Sequence, residues 1–376
     1  MAGLIQPVVM PKWGLAMTEG QVVAWLIELG QEVSAGDELL EIETTKITNV
    51  LEAAAEGVLR RRLAAEGETL PVAGLLGVIA TAEVPDGEID AFVASYLERF
   101  AEMAAAESEA APEPQIVEVG GLRLRSLEMG SGEVPPALLL HGFGADLNNW
   151  MFNQPVLAEA RRVIALDLPG HGGSSKTLAA GNPAALAEQA EAFMASQGLE
   201  AAHLIGHSLG AAVALELALA APARALSLSL ISPAAMGPEI NGEFIAGFIE
   251  AKRRKQLKPV LQQLVNDPAL ITRDMLDDVL KFKRLDGAEA ALRLIAEASF
   301  AGGRQAQDLS GRLGELDQAI QVIWGREDQV IPASQAEGLP AQVTLRLLEG
   351  VGHMPHMEKA SEVNMLISDF LAASEQ

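Results

Sequence analysis

The chain has 376 residues, a formal net charge of −24, 49% hydrophobic but only 4% aromatic content, and no cysteine. Its length predicts two or three domains, and its acidity argues against non-specific binding of nucleic acid or an anionic membrane surface. Without cysteine there is no disulfide, thiolate metal site or thiol nucleophile, and no metal is expected.

Residues 1–81 read as short β-strands separated by Gly-containing turns, as in Gln21–Ile27, Glu38–Glu43 and Gly57–Arg60. The turn pattern of residues 30–37 recurs in type at 66–74, which suits a small flattened barrel of two similar halves. Lys46 stands between the strand-like runs Leu39–Ile42 and Ile47–Leu51, at the predicted tip of a hairpin, exposed for modification. Met1–Gly20 lacks a basic start followed by an apolar run, so no signal peptide is expected.

Residues 82–114 form an acidic junction. Ile89, Phe92, Val93, Tyr96, Leu97 and Phe100 follow helical spacing and predict an amphipathic helix. It either docks on one of the domains or serves as a partner-binding segment. The Ala104–Pro114 stretch reads as a mobile linker.

From residue 115 to 376 strands alternate with helices, which predicts a largely parallel sheet covered on both faces. A hairpin turns at Gly120-Gly121. Strands follow at Pro136–Leu140, Val163–Leu166, Ala202–Ile205, Leu226–Ile231, Ala319–Ile323 and Val343–Leu348. Residues of about 237–305 are helical without strands and read as a cap inserted over the sheet. The most apolar stretch, Ala211–Ala221, is interrupted by Glu216 and ends at Pro222; it reads as a buried helix, not a membrane span. A cytoplasmic location is expected.

Gly206-His207-Ser208-Leu209-Gly210 fits G-x-S-x-G between an apolar strand and an Ala-rich helix, the context in which this motif presents a nucleophile. A serine hydroxyl needs a base. His353, in the loop after the last strand, is the favoured base, with His356 its rival; His141, His171, His203 and His207 read as structural or pointing elsewhere. The base needs an orienting carboxylate. Asp328, after the penultimate strand, is the natural candidate and Glu327 the alternative. The expected oxyanion donors are the backbone N–H groups of Phe143 and Leu209.

Residues 115–376 thus resemble the α/β-hydrolase superfamily, matching at H-G-F-G (141–144), D-L-P-G-H-G (167–172), G-H-S-L-G (206–210), G-R-E-D (325–328) and G-H (352–353). Residues 1–81 resemble biotinyl/lipoyl domains in the opening Met10–Gly20 motif, in Thr45-Lys46-Ile47 and in Gly57, where the family has a turn glycine. Biotin carriers have methionines flanking the lysine, so Lys46 looks like a lipoyl site; Thr45 stands where the family usually has an acid. The expected fold is therefore an all-β lipoyl/biotinyl flattened barrel joined to an α/β-hydrolase fold with a helical cap.

The usual acyltransferase motif H-x-x-x-D-G of 2-oxo acid dehydrogenase complexes is absent: Ala82 and Phe282 stand four positions before Asp86-Gly87 and Asp286-Gly287. The whole chain is instead similar to the acyltransferase components of acetoin dehydrogenase complexes, which join a lipoyl domain to an α/β-hydrolase domain. That resemblance implies acetyl transfer from a lipoyl arm to coenzyme A. It also implies a thiamine-diphosphate-dependent acetoin-cleaving component and a dihydrolipoyl dehydrogenase as partners. The alternative is a tethered hydrolase of ester, thioester or C–C bonds. Lys252, Arg253 and Arg254 form a basic cluster that either binds coenzyme A phosphates, lies on a solvated helix face, or docks to the acidic junction.

Overall fold

The computed structural model describes residues 5–11, 19–44, 48–110 and 112–375, with backbone alone for 102–110. The chain divides into two compact units, residues 1–111 and 112–376.

The first unit contains β1 (Ile5–Val9), β2 (Glu19–Trp25), β3 (Glu32–Val33), β4 (Glu38–Glu43), β5 (Thr48–Glu52), β6 (Gly57–Arg62), β7 (Thr69–Pro71), β8 (Leu75–Ala80) and α1 (Asp86–Ala110). The strands form two four-stranded sheets, ordered β1-β8-β6-β3 and β5-β4-β2-β7. Alternation makes them: in β2, Gly20 and Val22 are buried while Glu19, Gln21 and Val23 face out. Val22, Leu40 and Ile42 of one sheet join Leu59, Leu76 and Ile79 of the other in a single core. The sequence echo is a repeat of backbone geometry. Gly30 and Gly67 have φ of 88° and 84°, and Gly36 and Ala73 have 93° and 65°. β4 and β5 pair antiparallel up to Glu43 and Thr48. Lys46 belongs to their connection and, like residues 12–18 of the opening motif, lies outside the described residues.

α1 docks on this unit. Ile89 is buried with Val78, Ala80 and Val84, and Phe92 and Val93 pack against them. Arg60 and Arg61 pair with Asp86, and Arg61 also with Asp90. The expected linker differs from the structure in part, because helical backbone continues to Ala110. The run is rich in Ala and Glu, both strong helix formers; Pro112 cannot continue a helix.

The second unit is built on one eight-stranded sheet, ordered β16-β15-β14-β13-β11-β12-β10-β9. Its strands are β9 (Gln115–Val119), β10 (Leu122–Met129), β11 (Ala137–Leu140), β12 (Val163–Leu166), β13 (Ala202–His207), β14 (Ala225–Ile231), β15 (Ala319–Gly325) and β16 (Val343–Leu348). β10 runs antiparallel to both its neighbours, β9 and β12, and β11 to β16 run parallel to one another. β11, β12 and β13 are buried at every position, and alternate residues fall into two separate cores. Leu138, Leu140 and Leu204 join α3 (Pro183–Ser196) and α4 (Leu209–Ala220). Ala137, Leu139 and Ile205 join α10 (Ala360–Ser374) and Leu157 of α2 (Gln154–Ala158). Helices thus cover both faces, as a parallel sheet requires.

Between β14 and β15 come α5 (Gly242–Glu250), α6 (Arg254–Leu261), α7 (Arg273–Lys283) and α8 (Ala288–Ser299). Asn241 and Thr272 cap α5 and α7 by accepting from Phe244 N–H and Met275 N–H. The apolar faces of these helices, through Phe244, Phe248, Leu261, Leu280 and Ile295, complete the larger core. A short α9 (Pro355–Glu358) precedes α10.

Candidate active site

β13 ends at His207, and the chain turns at once into α4. Ser208 takes φ 54°, ψ −115° at that turn, a conformation an L residue adopts only under constraint. Its N–H is anchored on the Ile231 carbonyl of β14, 2.9 Å away. Two glycines make the turn sterically possible. A Cβ on Gly206 would stand 2.4 Å from the Gly210 carbonyl oxygen, and one on Gly210 would stand 2.1 Å from that of Leu140.

His353 lies in the loop after β16 and Asp328 in the loop after β15. His353 Nδ1 is 2.7 Å from Asp328 Oδ2. The same carboxylate oxygen accepts the Trp324 indole N–H at 2.9 Å. Asp328 Oδ1 accepts the N–H groups of Val330 and Ile331 at 2.8 and 2.9 Å. These bonds fix the carboxylate and aim it at Nδ1, leaving Nε2 as the free edge of the ring. The alternative residues have other partners. Glu327 accepts from the Val351 N–H at 3.0 Å, and His356 meets Asn149 rather than a carboxylate.

Ser208 and His353 share the walls of a chamber of about 40 Å³ with Gly142, Phe143, His207, Phe244 and Phe300. Among the described residues no hydrogen bond joins Ser208 Oγ to the His353 ring, a contact that is often loose before substrate binds. Leu209 is the first residue of α4 and Phe143 lies in the loop after β11. Neither backbone N–H has a hydrogen-bond acceptor among the described residues, which leaves both available to an oxyanion.

A larger cleft of about 460 Å³ adjoins the chamber, under the cap, with Phe248, Ile271, Met275, Val279 and Phe282 on its walls. Phe143, Asn149, Phe244, Leu264 and Met354 line both spaces. The cap wall is held by Lys283, whose buried ammonium donates to the carbonyls of Phe248 and Ala251. Burial, then the nearby Lys252 and Arg293 charges, lower its pKa to about 8.

The remaining histidines have other partners. His141 Nε2 accepts the Leu168 N–H at 3.0 Å, and His203 lies between Ser227 and Glu375. His171 Nδ1 is 3.2 Å from the Pro169 carbonyl. Burial, then the adjoining His356 and His353 rings, hold His207 well below the usual imidazole range. Burial and His353 push His356 down to about 3. The basic cluster is engaged elsewhere in ion pairs. Lys252 pairs with Glu289 and Arg254 with Asp277, and none of Lys252, Arg253 and Arg254 lines the chamber or the cleft.

Sequence reasoning missed Asn149 and the cap residues of the cleft. Asn149 lies in a 3₁₀ turn, Leu147–Trp150, with no motif of its own. In the sequence nothing marks it; in the structure it precedes the fully buried Trp150.

Residues 135–360 match the alpha/beta hydrolase fold family, and residues 6–79 match the biotin-requiring enzyme family. In structure the chain is similar to a meta-cleavage product hydrolase from Pseudomonas fluorescens IP01, with TM-score 0.63 and 21% identity over 69% of this chain and 98% of that one. In sequence it is 46% identical to a dihydrolipoyllysine-residue acetyltransferase component of an acetoin cleaving system from Cupriavidus necator, over 98% of this chain and 97% of that protein. The counterpart from Pseudomonas putida is 49% identical over 98% of each chain. Similarity at this level over both domains shows that the chain belongs to the family of dihydrolipoyllysine-residue acetyltransferase components of acetoin cleaving systems.

Proposed function

We propose that this chain transfers an acetyl group from a lipoyl arm on Lys46 to coenzyme A, with Ser208 as nucleophile, His353 as base and Asp328 as its orienting carboxylate. The observation that carries the reading is the 2.7 Å contact of Asp328 with His353 on the wall of the chamber that holds Ser208.

The first unit suits a covalent arm. β5 is an edge strand, and the paired residues Glu43 and Thr48 that flank the connection containing Lys46 are both exposed. When bound, a lipoyl group supplies a thiol that carries the acetyl group as a thioester on a long stem, and tethering raises its local concentration.

The chain's own residues do the rest. His353 Nε2 takes the Ser208 proton as Oγ attacks the carbonyl carbon of a thioester donor. The N–H groups of Leu209 and Phe143 receive the developing oxyanion. The C–S bond breaks, and the departing sulfur takes the proton from His353, leaving acetyl on Ser208. His353 then removes the proton of the coenzyme A thiol as its sulfur attacks the acetyl-serine ester. The same proton returns to Ser208 Oγ when that ester breaks. Hydrolysis differs only in using water at the second attack. The apolar walls, including Phe143, Phe244 and Phe300, favour the thiol by keeping the chamber poor in water.

The partners of this reading are a thiamine-diphosphate-dependent acetoin-cleaving component and a dihydrolipoyl dehydrogenase, in the cytoplasm. Among the described residues no helix is long and apolar enough to cross a membrane. An active-site phosphonate tests the reading: it should label Ser208, and Ser208→Ala should abolish both labelling and transfer. Full transfer by Ser208→Ala would overturn it.

A further inference from the structure

Two more histidines and one asparagine crowd behind the Ser208–His353 pair. The His207 ring centre is 5.0 Å from that of His353 and 4.5 Å from that of His356. Asn149 Nδ2 is 2.9 Å from His356 Nε2 and 3.4 Å from His207 Nδ1. His207 Nε2 is 2.9 Å from the main-chain carbonyl oxygen of His353. All these side chains are buried.

The protons in this cluster can be assigned one by one. A carbonyl oxygen only accepts, so His207 Nε2 carries the proton and donates to His353. Burial disfavours a second proton on the ring. Nδ1 is then an acceptor and must face a donor, so Asn149 presents its Nδ2 and not its Oδ1. The second Asn149 N–H meets His356 Nε2, which leaves the His356 proton on Nδ1. That atom is buried without a hydrogen-bond partner, so the cluster keeps one unsatisfied group in order to keep this order of donors. Gly142 lets the loop after β11 close on the ring: a Cβ there would stand 2.8 Å from His207 Nδ1.

We propose that Asn149 is a positioning residue for the transfer reaction. Its amide N–H groups set the tautomer of His207, and His207 Nε2–H in turn holds the main chain of His353 in the chamber shared with Ser208. The assignment rests on Ser208 and His353 being nucleophile and base. It ties the loop after β11, which carries Phe143, to the loop after β16, which carries the base. The other titratable groups around the cluster are Asp328 against His353, His141 and Asp146 on the β11 side, and Glu358 on α9, which accepts from the Gly352 N–H.

The test uses full-length chain, p-nitrophenyl acetate as a small acyl donor, and phosphonate titration to count competent sites. Asn149→Ala should lower kcat per titrated site about 10- to 100-fold, the size of loss that a small misplacement of a reacting group produces, beyond any change in KM from its place on the wall of both spaces. Asn149→Asp offers only acceptors to two acceptor nitrogens. The His207–His353 contact then forms only when His207 takes a second proton, so kcat should gain an alkaline limb that the wild type lacks. A purely structural role would lower the titratable fraction and leave kcat per site and the pH profile unchanged, and that result overturns the proposal.

Histidine ¹⁵N spectra of the wild type give an answer independent of how the variants fold. They should show His207 protonated at Nε2 and His356 at Nδ1. A proton on His207 Nδ1 also overturns the proposal. Absence of phosphonate labelling at Ser208 would instead sink the nucleophile assignment, while the tautomer spectrum would still decide the Asn149 geometry.

Discussion

Asp328 Oδ2 stands 2.7 Å from His353 Nδ1, and neither side chain is open to solvent. The carboxylate can make that contact in one sense only. Its other oxygen is committed to the Val330 and Ile331 N–H groups, and Oδ2 already accepts from Trp324.

Asp328→Asn should therefore be far more damaging than its size suggests. The amide oxygen would stay on Val330 and Ile331, and the amide N–H₂ would face both the Trp324 donor and His353 Nδ1. His353 would then carry its proton on Nε2, where it can no longer accept one from Ser208. A fall in kcat of about 10³- to 10⁴-fold with an unchanged fold is expected. Steady-state kinetics with p-nitrophenyl acetate, alongside circular dichroism, would check it, and a loss below tenfold would contradict it.

Acid should weaken the second unit through His356. Its folded pKa is about 3 against an ordinary 6.5, so between those values the unfolded chain holds the extra proton. Stability attributable to this group is full above pH 6.5 and falls as pH drops towards 3, at up to about 1.4 kcal/mol per pH unit. Urea midpoints measured across that window should fall with pH. His356→Gln, which does not titrate, should flatten the slope; an unchanged slope would remove His356 as its source.

The turn at Ser208 tolerates no side chain at Gly210. A Cβ there would come within 2.1 Å of the Leu140 carbonyl oxygen, which belongs to the backbone and cannot swing away. Gly210→Ala should cost about 3 kcal/mol or more and remove phosphonate labelling. Thermal melts would read the first effect and labelling the second.

The cleft beneath the cap should bind substrate without taking part in bond changes. Val279 lies on its wall, partly buried on α7. Val279→Lys would place an ammonium among the apolar side chains Ile271, Met275 and Phe282 of the cleft wall. KM for a long-chain thioester donor should rise about tenfold with little change in kcat, the signature of binding lost equally from ground and transition states. A fall in kcat at constant KM would mean that the cleft shapes the reacting centre itself.

What could be read from the sequence follows from how local each signal is. The strand ends carrying Ser208, Asp328 and His353 announce themselves through apolar runs that stop at Gly or charged residues, and β11 to β16 lie where those runs predict. The α1 face was legible because Ile89, Phe92 and Val93 repeat at helical spacing. Its length was not, because Ala and Glu are at once good helix formers and common in linkers. Asn149 was illegible for a different reason. Its partners His207 and His356 are 58 and 207 positions away in the chain, and only the fold brings them together. The pairing of Lys252 with Glu289 and of Arg254 with Asp277 was hidden in the same way.

The central claim is best tested by partition of the acetyl group. Full-length chain, lipoylated at Lys46 and acetylated on the reduced arm, would be mixed with coenzyme A, and acetyl-coenzyme A and free acetate measured for wild type and Ser208→Ala. Predominant acetyl-coenzyme A in the wild type, lost in Ser208→Ala, is the predicted result. Predominant free acetate would contradict it and make the second unit a hydrolase on a tether.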